Sequence, residues 1–555
     1  MSFEIKILHT LERYIMAISQ KEQGLRRRIG TEKLIGCFTT DKDGKTYFTD
    51  IRGEEGDRST VSGLEELKIP HNGVGLKNGV FYSFSWHLND DQFVIDGEPI
   101  IVENNDFLKK RYDAMLGFSG SKLELAINFQ DTIFDEVTGA QHTYIYELLQ
   151  NANDYPYNGE CVRVNFILTD NYLFFTHTGA PFNLRNVVGI TSINQGEKKN
   201  NTETIGYKGI GFKTVFVNNE YVYLKSADWS FRFDKQYSEL QFAGKCPWAL
   251  MPIPTQEKDL DQEVKTVLDS LGDDMRVRFA LKHKTDASLN LPQLKRVFED
   301  NQILLFIPNV ASVDVISKGK TLYSVRKDEA HWIVSDFTYI VPEGLKKWVA
   351  ENVNSGNKVP EKFKEISNVK ISFAVAQDNG ILKPVKGARV YNYLPTELRL
   401  GFEFLINADF IPNGSRSGLH DVEWNNHIMS HAGALFADWW TGFMKNEGEY
   451  NLQSVFSILP DLKNTLNPYA SLFVKGFLKR IKEIPCIPTL RNGKYCLRKI
   501  SDVIIDTINF FKGDDPIMTD DEFYGFCNTN LTLVHPAIRY DNNCARLFEA
   551  FKQTL

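Results

Sequence analysis

The chain has 555 residues, 42 % of them apolar and 24 % charged, with 39 Phe, which is too long for one core and supplies enough apolar material for several. A formal net charge of −7 argues against a strongly basic nucleic-acid binder; the densest basic run, Arg26 to Arg28, reads as a solvated helix end. Seven scattered Cys without a C-x-x-C fit reduced thiols in a cytoplasmic protein rather than a disulfide framework or a zinc site, and neither a signal peptide nor a membrane-length apolar run is expected.

In chain order, a helix-like opening is followed by short strand-like runs, "IGCFTT", "KTYFTDI", "VFYSFSWHL" and "QFVIDG", which together make a small α+β module. "HNGVG" at 71 to 75 reads as a hairpin. Helical sequence resumes with "NDFLKKRYDAMLG" and "LELAINFQDTIFDEV" and leads into "YIYELLQNANDY", residues 144 to 155. Strands then dominate: "CVRVNFILTD", "YLFFTHTG", "EYVYLKSADWSFRFD" and "MRVRFALK", with a long polar, Gly-containing segment at 191 to 211 among them. A second helix-plus-strand block follows, with "QILLFIPNVASVDVI", "VKISFAVAQ" and "FEFLINADFI". Aromatic and Leu-rich helices come last; the Trp439–Trp440 pair reads as core or interface packing.

The 144 to 155 stretch has two faces. Ile145, Leu148, Leu149 and Ala152 form an apolar stripe, and Glu147, Gln150, Asn151 and Asp154 repeat the same spacing on a second one. The second stripe has no Lys or Arg to form a salt-bridged solvent face. A hard cation such as Mg2+ would accept the Asn151 amide oxygen and keep water and phosphate elsewhere. A carboxylate at 147, one turn earlier, could deprotonate a water aimed at a terminal phosphate. Downstream, "FFTHTGAPF" runs a strand into a turn at Gly179, and "IGYKGIGFKTVF" places Gly206, Gly209 and Gly211 before a helix, where bare backbone N–H groups can approach a polyphosphate. This is not a Walker A loop, because Phe212 separates Gly211 from Lys213. It is not a Rossmann fingerprint either, because the order is G-x-x-G-x-G and a polar loop precedes it.

The three elements in this order resemble the Bergerat-fold (GHKL) ATPases, the family of Hsp90, MutL, gyrase B and histidine kinases. "ELLQNANDY" resembles the E-x-x-x-N box and "IGYKGIGF" the lid-end glycine motif. "PWALMPIP", "LLFIPNV", "ADFIPNGSRSGL", "EWNNHIM" and "IPCIPTLRNGKY" are similar to the sacsin-like and NOV-like, Hsp90-like branch. The resemblance implies an α+β chain: an N-terminal α+β module at 1 to 103, a Bergerat-type two-layer α/β sandwich at 104 to 288 with helices over one face of a mixed sheet, an Hsp90-middle-like α/β domain at 289 to 430, and a C-terminal helical and mixed segment at 431 to 555.

It also implies roles. Glu147 would be the catalytic base, Asn151 the Mg2+ ligand and Asp154 a pocket residue. Residues 189 to 205 would be a lid, and Gly206, Gly209, Gly211 and Phe212 would close it on the phosphates, with Lys208 or Lys213 nearby, Ile210 among the cofactor-binding residues and Arg416 reaching the γ-phosphate. The family usually carries Asp-x-Gly-x-Gly in the second element, its Asp accepting the adenine amino proton; this chain has His177-Thr178-Gly179-Ala180-Pro181. A neutral His177 nitrogen can still accept one hydrogen bond, and Thr178 is a second base contact. The expected function is a Mg-ATP-binding ATPase whose lid closure drives conformational change, in bacterial phage defence or chaperone-like remodelling. The partners implied are ATP, a second copy of the chain and an effector protein, with no membrane. Two alternatives stay open: a nucleotide-gated scaffold or sensor without significant hydrolysis, and a MutL- or MORC-like DNA-associated clamp, which the acidic charge disfavours.

Overall fold

The computed structural model describes residues 33–40, 46–50, 77, 80–89, 92–137, 143–191, 211–299, 302–327, 330–353, 359–413, 416–463, 467–513, 516–526 and 532–552. The expected hairpin at 71 to 75, the lid segment from 192 onward, and Gly206, Lys208, Gly209 and Ile210 lie outside the described residues. The chain is a mixed α+β protein with two compact units. The first comprises residues 1–299 and 309–325, the second residues 300–308 and 326–555.

In the first unit, β1 (Lys33–Thr40), β2 (Thr46–Asp50), β3 (Tyr82–Asn89) and β4 (Gln92–Ile101) form a four-stranded sheet in the order β2-β1-β3-β4. Helices α1 (Asn104–Leu116), α2 (Gly120–Val137) and α3 (Thr143–Asp154) follow. The main sheet is built from β5 (Val162–Leu168), β6 (Leu173–His177), β7 (Asn219–Ser226), β8 (Trp229–Asp234), β9 (Ile253–Pro254), β10 (Val277–His283), β11 (Val310–Ser317) and β12 (Lys320–Arg326), with helix α4 (Leu184–Thr191) after β6. Its order is β12-β11-β5-β6-β10-β7-β8-β9, mixed because β11 runs parallel to β5 while β6 and β10 pair antiparallel with their neighbours. The run "EYVYLKSADWSFRFD" is a hairpin, β7 and β8, folding back at Ala227 with φ 46°.

Alternation along the strands gives the sheet two apolar faces. Phe174, Ala280 and Tyr223 share one face, where Val264 of helix α5 (Gln262–Ser270) covers them. Phe166, Phe175 and Phe279 lie side by side in register on the opposite face, with ring centroids 5.1 and 6.1 Å apart, and Phe298 of helix α6 (Asn290–Phe298) packs on Phe166. Both faces therefore carry a helix, in place of the single covered face expected from the sequence. The sheet also takes in β11 and β12, beyond the expected limit at 288. The apolar alternation of "VASVDVI" suits a strand buried against β5, whereas "ILLF" before it forms a turn.

The second unit has a six-stranded sheet in the order β13-β14-β18-β16-β17, from β13 (Trp332–Ile340), β14 (Asn368–Asp378), β15 (Ile381–Lys383, paired with β14), β16 (Arg389–Asn392), β17 (Leu394–Arg399) and β18 (Leu405–Ala408). One aromatic core joins it to helices on both sides of residue 430: Phe404 and Phe436 each make ring contacts with Phe373, Trp439 and Phe473. Trp440 is fully buried and donates to the Val455 carbonyl, as expected of a core pair. Helices α7 (Glu423–Gly442) and α8 (Pro468–Ile481) cross at two glycines. A Cβ on Gly433 would sit 1.9 Å from the Phe473 carbonyl oxygen, and one on Gly476 1.9 Å from that of Ser430. The cysteines Cys37, Cys161, Cys246, Cys486, Cys496 and Cys544 are free thiols. Among the described residues no helix is long and apolar enough to cross a membrane.

Candidate functional site

Helix α3 is fixed before any ligand is considered. Its apolar stripe is fully buried, and the Tyr144 hydroxyl donates to Asn290 Oδ1 at 2.7 Å inside the core. At its other end Asn153 is 1 % exposed. The Asn153 side-chain oxygen accepts from the Asn309 backbone N–H at 2.9 Å, and its carbonyl accepts from the Asn309 amide at 2.8 Å. What this leaves half-buried on one face is Glu147, Asn151 and Asp154, at i, i+4 and i+7. Gln150 departs from the expected stripe and is buried at 3 % exposure. The three remaining groups are hard oxygen donors, the class that Mg2+ takes one or two at a time while keeping water and phosphate oxygens. Among the described residues no cluster of three or more His, Cys, Asp or Glu is arranged to hold a metal by itself.

The second element ends β6 in a turn pressed against the end of α3. The Ala180 N–H donates to the Tyr155 carbonyl at 2.8 Å. A Cβ on Gly179 would lie 2.7 Å from that carbonyl oxygen and 2.7 Å from His177 Nδ1, so this position is restricted to glycine by contact. Thr178 pairs with Arg163 through its N–H (3.1 Å) and accepts the Arg163 N–H at its hydroxyl (3.0 Å). The Thr178 carbonyl accepts from the Arg276 guanidinium at 2.6 Å, and that guanidinium lies 3.8 Å over the Tyr157 ring. His177 is 4 % exposed, and burial pushes its pKa down to about 3. Its Nδ1 accepts the Gly179 N–H at 3.1 Å, which assigns the proton of the neutral ring to Nε2. The one acceptor nitrogen of the neutral His177 ring is thus used within the turn.

The third element begins in a 3-10 turn, Gly211–Thr214, and this turn packs against both α2 and α3. Phe212 is buried on Phe216 (5.6 Å) and Phe279 (5.5 Å). Phe279 neighbours Phe175, which neighbours His177 at 5.4 Å, so a row of rings connects the second and third elements through the sheet. Lys213 points inward. At 3 % exposure its ammonium donates to the carbonyls of Ile190 and Ala249, and it lies 5.5 and 5.7 Å over the rings of Phe216 and Phe233. Burial holds its pKa well below the usual lysine range, and the charge of Arg111 adds to that. Arg111, fully buried, donates to the Thr191 carbonyl at 2.7 Å. Both cations thus cap the last carbonyls of α4, where the helix dipole is negative. Lys213, one of the two lysines expected near the phosphates, is buried here on the carbonyls of Ile190 and Ala249.

Arg416 belongs to the second unit. It has φ 56°, is 7 % exposed, and one of its terminal nitrogens is buried without a hydrogen-bond partner among the described residues. Asn153, Tyr155, Arg111 and Arg276 were not singled out from the sequence. Asn153 carried the one available signal, being part of the same "NAND" run as Asn151. No spacing pointed to Arg276.

No family model matches the chain. The protein NO VEIN of Arabidopsis thaliana is similar to it, with 23 % identity over 372 residues. That match takes in 62 % of this chain and 13 % of the plant protein, so the chain spans only a small part of the relative's length.

Proposed function

We propose that the chain binds a Mg2+-complexed nucleoside triphosphate, ATP on the resemblance, in a Bergerat-type site and hydrolyses it to drive a conformational change. The observation that carries the reading is convergence. Three segments some 25 to 60 residues apart in sequence lie on or beside α3: the helix itself with Glu147 and Asn151, the 211–214 turn packed against it, and the 178–180 turn bonded to Tyr155 just past its end. In this reading Asn151 lends its amide oxygen to Mg2+, and Glu147 orients a water and takes its proton. Bound Mg2+ would neutralise charge developing on the phosphates. Asn309 and Tyr144 hold α3 so that these two groups keep their relative placement. The distant similarity to NO VEIN adds no activity to this reading.

Equilibrium binding of Mg-ATP by calorimetry, paired with phosphate release, tests the proposal. Glu147→Ala should bind nucleotide within a few-fold of the parent and lose turnover by at least about a hundredfold, the scale of a general base. Equal turnover in parent and variant would overturn the assignment of Glu147, and absence of any nucleotide binding would overturn the site.

A further inference from the structure

The three larger sheets have six margins between them, and five are blunted against further pairing. β2 has five residues, and β9 has two, one of them Pro254. β4 is broken by a bulge across residues 97–99, β17 carries Pro395, and β12 has Lys320 and Arg326 at its ends. Short strands, bulges, prolines and cations are how sheet edges avoid pairing with other chains. β13 has none of these. All nine of its residues pair with β14 in one unbroken register, which presents a continuous margin of about 30 Å. Seven of the nine are β-branched or aromatic. Among the described residues no strand pairs with the other side of β13.

The strand is anchored through one face. Trp439 of α7 donates to Ser335 Oγ at 2.9 Å, the Tyr339 hydroxyl is hydrogen-bonded to His427 Nε2 at 2.6 Å, and the Phe337 ring lies 5.9 Å from that of Phe373. On the opposite face stand Val334, Asp336, Thr338 and Ile340, all exposed. Asp336 is the one charged residue of the strand, and it pairs with Lys370 of β14 at 2.6 Å. This outer row is self-complementary. A two-fold axis beside Phe337 sets Val334 against the second copy's Ile340 and Asp336 against its Thr338, and symmetry repeats both pairs. An axis beside Asp336 would oppose two carboxylates, and one beside Ser335 or Thr338 would set Asp336 against Val334 or Ile340. We infer that β13 is a dimerisation edge, to which a second copy of this chain adds its own β13 antiparallel, centred on Phe337. The pairing is isologous and uses up both margins, so it closes at two copies.

Sedimentation velocity of the full chain without nucleotide, from about 1 to 100 µM, tests the pairing, and the outcome does not depend on the nucleotide reading. The expected result is a reversible monomer–dimer equilibrium within about that range, as suits a small interface of one strand pair. Thr338→Asp sets a carboxylate against Asp336 twice across the axis and should raise the dissociation constant about fivefold or more. Val334→Lys sets an ammonium against Ile340 and should do the same. Asp336→Lys combined with Thr338→Asp places opposite charges across the axis and should restore the parent value to within about twofold, or tighten it. A parent chain that stays monomeric at about 100 µM overturns the inference. So does a dimer that neither single variant weakens, or one that the double variant fails to restore. All the substituted positions are exposed, and should one single variant not fold, the other decides.

Discussion

Gly179→Ala is the substitution on which the geometry speaks most directly. The added methyl would stand 2.7 Å from the Tyr155 carbonyl oxygen and 2.7 Å from His177 Nδ1, where ordinary contacts begin at 3.4 Å. Gly179 is not among the positive-φ glycines, so the penalty is one of contact and not of backbone strain. One neighbour is main chain and the other a ring packed against Phe175, so the turn must back away by some tenths of an ångström. Two buried hydrogen bonds span that gap, Gly179 N–H to His177 at 3.1 Å and Ala180 N–H to Tyr155 at 2.8 Å. Each is worth about 0.5 to 1.5 kcal/mol net, and the smaller unfolded-state entropy of Ala offsets about 0.4 to 1 kcal/mol of their loss. The expected destabilisation is about 1 to 2 kcal/mol, measured by urea unfolding, with a loss of nucleotide affinity of about tenfold or more in calorimetry. Gly244→Ala is the control, since a Cβ there meets nothing within 4 Å; it should stay within about 0.5 kcal/mol of the parent. If Gly179→Ala proves as stable as the control, the turn is not pinned as described. Lost stability with unchanged affinity would place the turn outside the nucleotide site.

Other outcomes follow from the same geometry. His177 is held near 3 in the folded chain against 6.5 for an unperturbed imidazole, so between those values only the unfolded chain takes up the proton. Its contribution to stability is complete above about pH 6.5 and is lost on acidification, by up to about 1.4 kcal/mol per pH unit, a slope that His177→Gln should remove from unfolding curves taken between about pH 4 and 7. Asn153→Ala strands the Asn309 N–H in a buried place and should cost about 1 to 3 kcal/mol, read by urea unfolding. It should also weaken nucleotide binding by displacing the end of α3, and unchanged affinity would show that Asn151 does not depend on this anchor. Gly433→Ala should destabilise by about 3 kcal/mol, at the top of the overpacking range, while Gly442→Ala in the same helix, with nothing within 4 Å, should be neutral or slightly stabilising. Equal midpoints for the two in unfolding followed by tryptophan fluorescence would contradict the described crossing.

Much of the strand content could be read from the chain because its physical signal is local. The runs "CVRVNFILTD" and "YLFFTHTG" overshoot β5 and β6 by only one or two residues at each end. The polar stripe of α3 was legible for Glu147, Asn151 and Asp154, but Gln150 was not distinguishable from them, since helical spacing says which residues share a side and not how far a neighbouring segment covers it. Lys213 misled for a related reason. A lysine beside glycines suggests phosphate, yet its ammonium found two carbonyls and two ring faces supplied by residues 20 or more positions away or by a helical neighbour. That His177 Nδ1 is taken up within its own turn could not be foreseen, because this hydrogen bond exists only once the turn is folded.

The route of the chain past Asn309 has a practical consequence. Residues 300–308 belong to the second unit, the next stretch returns to the first, and the chain leaves again after 325. A truncation at 288 or 299, where a cut looks natural on paper, would strip β11 from β5 and uncap α3, exposing a raw sheet margin prone to self-association. Any excised fragment meant to be assayed for ligand uptake must therefore carry the out-and-back excursion and extend through β12.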